Sequence, residues 1–166
     1  MKHTISVLVE NHSGVLSRIS GLFSRRGFNI ESLAVGPTHD PTISRITIVA
    51  DGDDHTVEQI EKQLNKLIEV IKVKTFAKDE FLARELMIVK LKVAPEKRSE
   101  VMTIAEIINA KVMDVTLTTM TLEICDTYAQ LCRFEEVIAP YGIIEMVRTG
   151  TVAIEKGSDT LSPKKN

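Results

Sequence analysis

The spacing of hydrophobic positions switches along this chain between a period of two and a period of 3.6, and each switch marks an element. Thr4-Ile5-Ser6-Val7-Leu8-Val9-Glu10 alternates, with Ile5, Val7 and Val9 on one face, and predicts a strand. From about Gly14 the apolar residues Val15, Leu16, Ile19, Leu22 and Phe23 recur at helical spacing and predict an amphipathic helix that buries all of them. Arg25-Arg26-Gly27 puts cations in its last turn and a residue tolerant of a left-handed stop after it. Phe28 to Val35 predicts a second strand, in which Phe28 and Ile30 fall out of phase with Leu33 and Val35. A bulge near Glu31-Ser32 would absorb that slip. Gly36-Pro37-Thr38-His39-Asp40-Pro41 is loop chemistry, too long for a tight hairpin. Ile43 to Ala50 alternates again, with Ile46, Ile48 and Ala50 sharing a face. A second helix over Val57 to Ile68 buries Val57, Ile60, Leu64, Leu67 and Ile68, and Asp53 and Asp54 suit the dipole at its start. Val70 to Phe76 closes this half as an edge-like strand whose lysines discourage further pairing.

The order then repeats. Leu86 to Val93 predicts a strand, and Pro95 suits the first turn of a helix that buries Val101, Ile104, Ala105 and Ile108. Lys111 to Thr116 and Met120 to Cys125 predict strands, and Thr127 to Ala139 a helix with Leu131, Phe134 and Ile138 inward. Ile143 to Thr149 is the last strand of the unit, extended by Val152 to Ile154. The chain therefore predicts an α+β protein of two ferredoxin-like βαββαβ units, each an antiparallel sheet with helices on one face. The domains expected are residues 1–77 and 84–156, joined by Ala77 to Ala83, with a disordered tail over 157–166. Each sheet keeps one face clear of its own helices, and units this small need that face or an edge strand covered. Pairing with the other half or with another chain meets that need, so an oligomer is expected.

Composition narrows the function. At 166 residues and a net charge of −2, the chain carries no electrostatic footprint for nucleic acid or an anionic membrane. No apolar run is long enough to span a bilayer and no signal-peptide pattern opens the sequence, so a soluble cytoplasmic protein is expected. Cys125 and Cys132 are the only cysteines, too few for a disulfide framework or a zinc site, and read as small core or helix residues. The third predicted strand has no aromatic to stack a base, and the first strand–helix loop lacks the Cys-x-x-Cys of a metal chaperone. His3, His12, His39 and His55 show no paired ligand spacing and fall at predicted termini or loops. Asp51-Gly52-Asp53-Asp54 resembles the opening of a calcium loop, but Lys62 stands where the closing Glu belongs. Ser13 and Ser17 have no nucleophile elbow, and no glycine-rich phosphate loop is present. No catalytic constellation and no metal site emerges.

The remaining chemistry lies in Asn11-His12-Ser13-Gly14, the break between the first strand and helix. A helix start leaves several N–H groups without intrahelical partners and carries a partial positive charge, so it can hold a small carboxylate. Gly14 lets the backbone approach closely, and Asn11 can both donate and accept, which suits an α-amino acid head group. The same four residues also serve as an ordinary turn with an Asx-type cap.

The run Glu10-Asn11-His12-Ser13-Gly14-Val15-Leu16-Ser17-Arg18-Ile19 resembles the ligand-binding segment of ACT domains, βαββαβ modules that sense amino acids. Gly21-Leu22-Phe23-Ser24-Arg25-Arg26-Gly27-Phe28-Asn29-Ile30-Glu31-Ser32-Leu33 resembles, more narrowly, the regulatory small subunits of acetolactate synthase (acetohydroxyacid synthase). Ser44 to Ile48, Gln59 to Leu67, Arg84 to Lys90 and the final two-strand region are similar too, so the resemblance runs from Met1 to Gly157.

That resemblance implies a subunit with no catalysis of its own. Such subunits bind the large catalytic subunit of a transferase, raise its activity and confer feedback inhibition by valine in branched-chain amino acid biosynthesis. Thiamine diphosphate, magnesium and FAD are implied for that partner, and no cofactor for this chain. The resemblance further implies a homodimer or higher assembly through the ACT domains. Valine would lie between two chains, with Asn11, Gly14, Val15 and Leu16 of one facing Asn29 and Ile30 of the other. The N–H groups around Val15 and Leu16 would take the carboxylate, oxygens near Asn11 and Asn29 the ammonium, and Leu16 and Ile30 the aliphatic side chain. Ser13 departs from the family pattern, where many members have proline, and leaves a less rigid loop. The second unit has Ala94-Pro95-Glu96-Lys97-Arg98 in place of the Asn-x-x-Gly turn, so a role in dimerisation or in contact with the catalytic subunit is expected there. A free-standing amino-acid sensor without an enzyme partner is the alternative.

Overall fold

The structure, a computed structural model, describes residues 1–163. The chain divides into two compact units, one of Met1–Leu82 with the segment from Thr151 onward, the other Ala83–Gly150. In the first, β1 (Lys2–Glu10) leads into α1 (Val15–Arg26), β2 (Ile30–Pro37), β3 (Ile43–Asp51), α2 (Asp54–Leu64) and β4 (Val70–Thr75). The antiparallel sheet runs β2-β3-β1-β4. Ile5, Val7 and Val9 of β1 and Ile46, Ile48 and Ala50 of β3 pack against Val15, Ile19, Leu22 and Phe23 of α1 and Val57, Ile60 and Leu64 of α2. Removing this much apolar surface from water is the main stabilising term of such a unit.

Three elements differ from the sequence reading, each for a local reason. Phe28 lies outside β2: its N–H bonds the carbonyl of Phe23 at 3.1 Å while Gly27, at φ 69, bonds Ser24 at 3.2 Å. This left-handed helix stop brings its flanking apolar pair together, and the rings of Phe23 and Phe28 meet edge to face at 6.0 Å. The apolar signal at Phe28 therefore belongs to the end of α1. The bulge itself is present, as a register shift between Ile30 and Ser32. Helix α2 spans Asp54–Leu64, capped by the Asp53 carboxylate accepting from Thr56 N–H at 2.7 Å. Past Leu64 the backbone tightens into turns, and Ile68 is 91% exposed, against the expected burial. The next strand, β5 (Phe81–Lys92), starts five residues earlier than its apolar pattern suggests, with Phe81 stacked on Phe76 at 5.1 Å.

The face of the first sheet turned away from α1 and α2 is covered by the chain's own terminal segment, which includes β9 (Val152–Glu155). Thr151 N–H donates to the Ser32 hydroxyl at 2.9 Å, and Arg45 Nη2 donates to the Ala153 carbonyl at 2.8 Å. Lys74 pairs with Glu155, and Lys156 N–H donates to the Glu80 carbonyl at 2.9 Å. Ser6, Leu8 and Thr47 are buried on this face. Residues 157–163 continue without helix or strand, with Leu161 half-buried, and the rest of the expected tail lies outside the described residues.

The second unit holds most of β5, a tight turn at Pro95–Lys97, α3 (Arg98–Ile107), β6 (Lys111–Val115), β7 (Thr119–Asp126), α4 (Tyr128–Ile138) and β8 (Ile143–Arg148). Its strands run β6-β7-β5-β8. Met87, Val89, Leu91, Met120, Leu122 and Ile124 face Val101, Ala105, Leu131, Phe134 and Ile138 of the helices. The same alternation turns Cys125 outward, so it is an exposed strand residue and not a core one, while Cys132 is a half-buried residue of α4.

Candidate functional site

The first strand ends and α1 begins without a capping side chain. Gly14 occupies the cap position at φ 90 and ψ −16, in the left-handed region, and α1 has no acidic residue in its first turn. The first-turn N–H groups are thus left to solvent or a ligand, with the positive end of the helix behind them. A Cβ built on Gly14 would meet nothing within 4 Å, so glycine is required here by backbone conformation and leaves open space in front of it.

Asn11 is held in place from both sides of its backbone turn. Its N–H donates to the carbonyl of Thr42 at 2.8 Å and its side-chain Nδ2 to the carbonyl of Pro41 at 2.8 Å. With Nδ2 committed, Oδ1 is the atom left to accept, which is the role an ammonium group needs. Val15 and Leu16 separate sharply. Val15 is 4% exposed and part of the core, so only its N–H faces the site, whereas Leu16 is 43% exposed and offers its side chain. The expected burial of Leu16 is therefore not found. It sits on the solvent side of the first turn.

Asn29 and Ile30 are elsewhere. Strand pairing puts Ile30 opposite Ala50, which in turn faces His3 near the start of β1. Asn11 follows Glu10, which pairs with Ile43 at the far end of the same strands. The 12 residues of α1 separate the two ends, about 18 Å at 1.5 Å per residue. Within one chain, Asn11, Gly14, Val15 and Leu16 come together, and Asn29 and Ile30 do not join them.

Several charged neighbours escaped the sequence reading. His12 Nε2 lies 3.0 Å from Glu10 Oε2, and its Nδ1 lies 3.2 Å from the Ser13 carbonyl. The Ser13 carbonyl first, and the Glu10 carboxylate second, raise the His12 pKa above its ordinary value. Arg18, one turn into α1, pairs with the buried Glu69, whose carbonyl accepts Glu10 N–H at 2.9 Å. The only trace of these in the sequence is that both cations lie within four residues of Gly14. His3 lies in β1 close to the terminus, whereas His55 is in the first turn of α2 and not in a loop as expected. Among the described residues no group of three or more His, Cys, Asp or Glu stands where it could hold a metal. No described helix is long and apolar enough to cross a membrane.

Fold and loop together define a tandem protein with an ACT-type first unit, and the comparisons with known proteins agree. A family model described as the AHAS small subunit-like ACT domain matches residues 5–72, and one described as the small subunit of acetolactate synthase matches residues 84–157. A probable acetolactate synthase small subunit of Archaeoglobus fulgidus is 48% identical over 95% of this chain and 99% of its own length. The acetolactate synthase isozyme 3 small subunit of Escherichia coli is 44% identical over 95% of this chain and 97% of its own. The crystal structure of the small subunit from Thermotoga maritima superposes with a TM-score of 0.89, at 35% identity, over 96% of this chain and 99% of that one. This chain belongs to the acetolactate synthase small-subunit family.

Proposed function

We propose that this chain regulates an acetolactate synthase: it binds the large catalytic subunit, raises its activity and makes it subject to inhibition by valine. Near-full-length similarity to named small subunits in both units carries this reading. The transferase reaction is assigned to the partner, together with thiamine diphosphate, magnesium and FAD. This chain contributes a ligand-responsive scaffold in the cytoplasm.

In this reading valine binds where two copies meet. The uncapped start of α1 takes the carboxylate through N–H groups, Asn11 Oδ1 accepts from the ammonium, and Leu16 packs on the side chain. Asn29 and Ile30 of a second copy close the site, because in one copy they stand at the opposite end of the sheet. A ligand held by both copies favours whichever dimer arrangement brings these ends together. It inhibits only by its difference in affinity between arrangements, a coupling of about 1–3 kcal/mol in typical cases.

The test is acetolactate formation by the matching catalytic subunit, with and without this chain, across a valine titration. Stimulation that valine reverses supports the proposal. Binding of valine by calorimetry with no effect on any catalytic subunit favours a free-standing sensor and overturns it.

A further inference from the structure

The first unit carries a concave feature on the sheet face opposite α1 and α2. It is a cleft of about 310 Å³ with Leu8, Ile43, Arg45, the turn Thr38–Asp40 and Leu161 on its walls. That volume is at the low end for small-molecule sites, and suits a metabolite smaller than a nucleotide.

The lining is mixed in a specific way. Leu8, Ile43 and Leu161 supply an apolar floor and wall, and Arg45 supplies a half-buried guanidinium. One donor of Arg45, on Nη2, goes to the Ala153 carbonyl at 2.8 Å, and a guanidinium has five. Asp40 supplies the opposite charge. Its Oδ1 accepts from Thr42 N–H at 2.9 Å and from Thr42 Oγ1 at 2.6 Å, which keeps the carboxyl ionised and leaves Oδ2 to accept. A cation, an anion and an apolar wall in one small cleft match a molecule that carries both charges and a hydrocarbon group.

We propose that the cleft between Arg45, Asp40, Leu8, Ile43 and Leu161 is a second ligand site, for a zwitterionic α-amino acid with an aliphatic side chain. Arg45 takes the carboxylate and Asp40 the ammonium. The site shares no residue with the start of α1, but the turn at 38–42 serves both. Asp40 faces the cleft, and the carbonyls of Pro41 and Thr42 hold Asn11. Occupancy of the cleft steadies the turn that positions Asn11, so the two sites influence each other, and reciprocally.

The test uses the isotope-labelled full chain carrying Gly14→Asp, which removes the α1 site, and follows amide NMR shifts during titration with L-leucine. Saturable shifts at Thr38, His39, Asp40 and Leu161 are expected, lost in Arg45→Gln and in Leu161→Trp, which fills the cleft. The probe 4-methylpentanoate, which lacks the ammonium, should bind about ten-fold more weakly or worse, the loss of one charge-assisted hydrogen bond. If those amides respond only while Gly14 is intact, there is one site and this proposal falls while the α1 reading stands. Silence of those amides under L-leucine in every protein also overturns it, as does equal binding of the two probes.

Discussion

The side-chain amide of Asn11 donates to the carbonyl of Pro41 at 2.8 Å, tying the end of β1 to the turn between β2 and β3. Asn11→Asp keeps the shape but replaces this donor with an acceptor, setting a carboxylate against a carbonyl oxygen. The bond is solvent-exposed, so its net worth is about 0.5–1.5 kcal/mol and the variant should fold. Valine binding should suffer more, because the turn loses its anchor and Oδ1 its fixed direction. Chemical denaturation and calorimetry, run side by side, check that the stability loss is small and the affinity loss larger.

Gly14 offers a cleaner separation of strain from charge. At φ 90 any L-residue is disfavoured by about 1–2 kcal/mol, although Asn and Asp tolerate the left-handed region better than most. Nothing lies within 4 Å of a built Cβ, so the cost is conformational and no packing is lost. Gly14→Asn and Gly14→Asp should therefore be similarly stable. The Asp variant adds a negative charge where the valine carboxylate is proposed to sit. Calorimetry should find valine binding much weaker in Gly14→Asp than in Gly14→Asn; equal affinities would remove the carboxylate from the start of α1.

Most of the fold is legible in the apolar spacing, because period two and period 3.6 are imposed by the sheet and helix themselves. The order of elements, the inward faces of β1 and β3 and the bulge after Ile30 all follow from it. What the spacing hides is apolar residues with other duties. Phe28 closes a helix stop although it reads as the start of a strand, and Leu16 faces solvent although it fits the helical spacing. Cover for the open sheet face was equally hidden, since Ser32, Arg45 and Lys74 meet the terminal segment through hydrogen bonds and an ion pair. Polar contacts across 81 to 119 positions leave no periodic trace. At the site, Asn11 and Gly14 stand out by residue type, but the hold that the carbonyls of Pro41 and Thr42 have on Asn11 exists only once the turns are folded.

The His12 imidazole gives the loop a pH dependence with a defined sign. Its pKa is raised, first by the Ser13 carbonyl and then by Glu10. A raised folded-state value means that the charged form is favoured on folding. The associated stabilisation is complete below the unfolded value, about 6.5, and is lost as pH rises through the higher folded value. NMR titration should place His12 above the value of a model imidazole, and Glu10→Gln should bring it back part of the way. A His12 that titrates below 6.5 would mean that the contacts with Ser13 and Glu10 do not persist in solution.

The second unit has a buried ion pair of its own, which makes a separate test of its integrity possible. Glu85 is 4% exposed, and its Oε1 accepts from Arg148 Nε at 2.6 Å. The same guanidinium lies over the ring of Tyr128 at 5.1 Å, so β5, β8 and α4 converge on one cation. Glu85→Ala removes the carboxylate and leaves a partly desolvated guanidinium to find other acceptors. Breaking a buried pair typically costs 3–5 kcal/mol, and because Arg148 keeps some access to water the loss should be about 3 kcal/mol. Glu135 Oε2, 3.7 Å from Arg148 Nη1, can take over part of the charge and would lower that figure further. Denaturant midpoints of Glu85→Ala and Glu85→Ala/Glu135→Gln distinguish these cases. A large loss on the first substitution with little added by the second assigns the cation to Glu85. A small loss that grows with the second shows that Glu135 had replaced it.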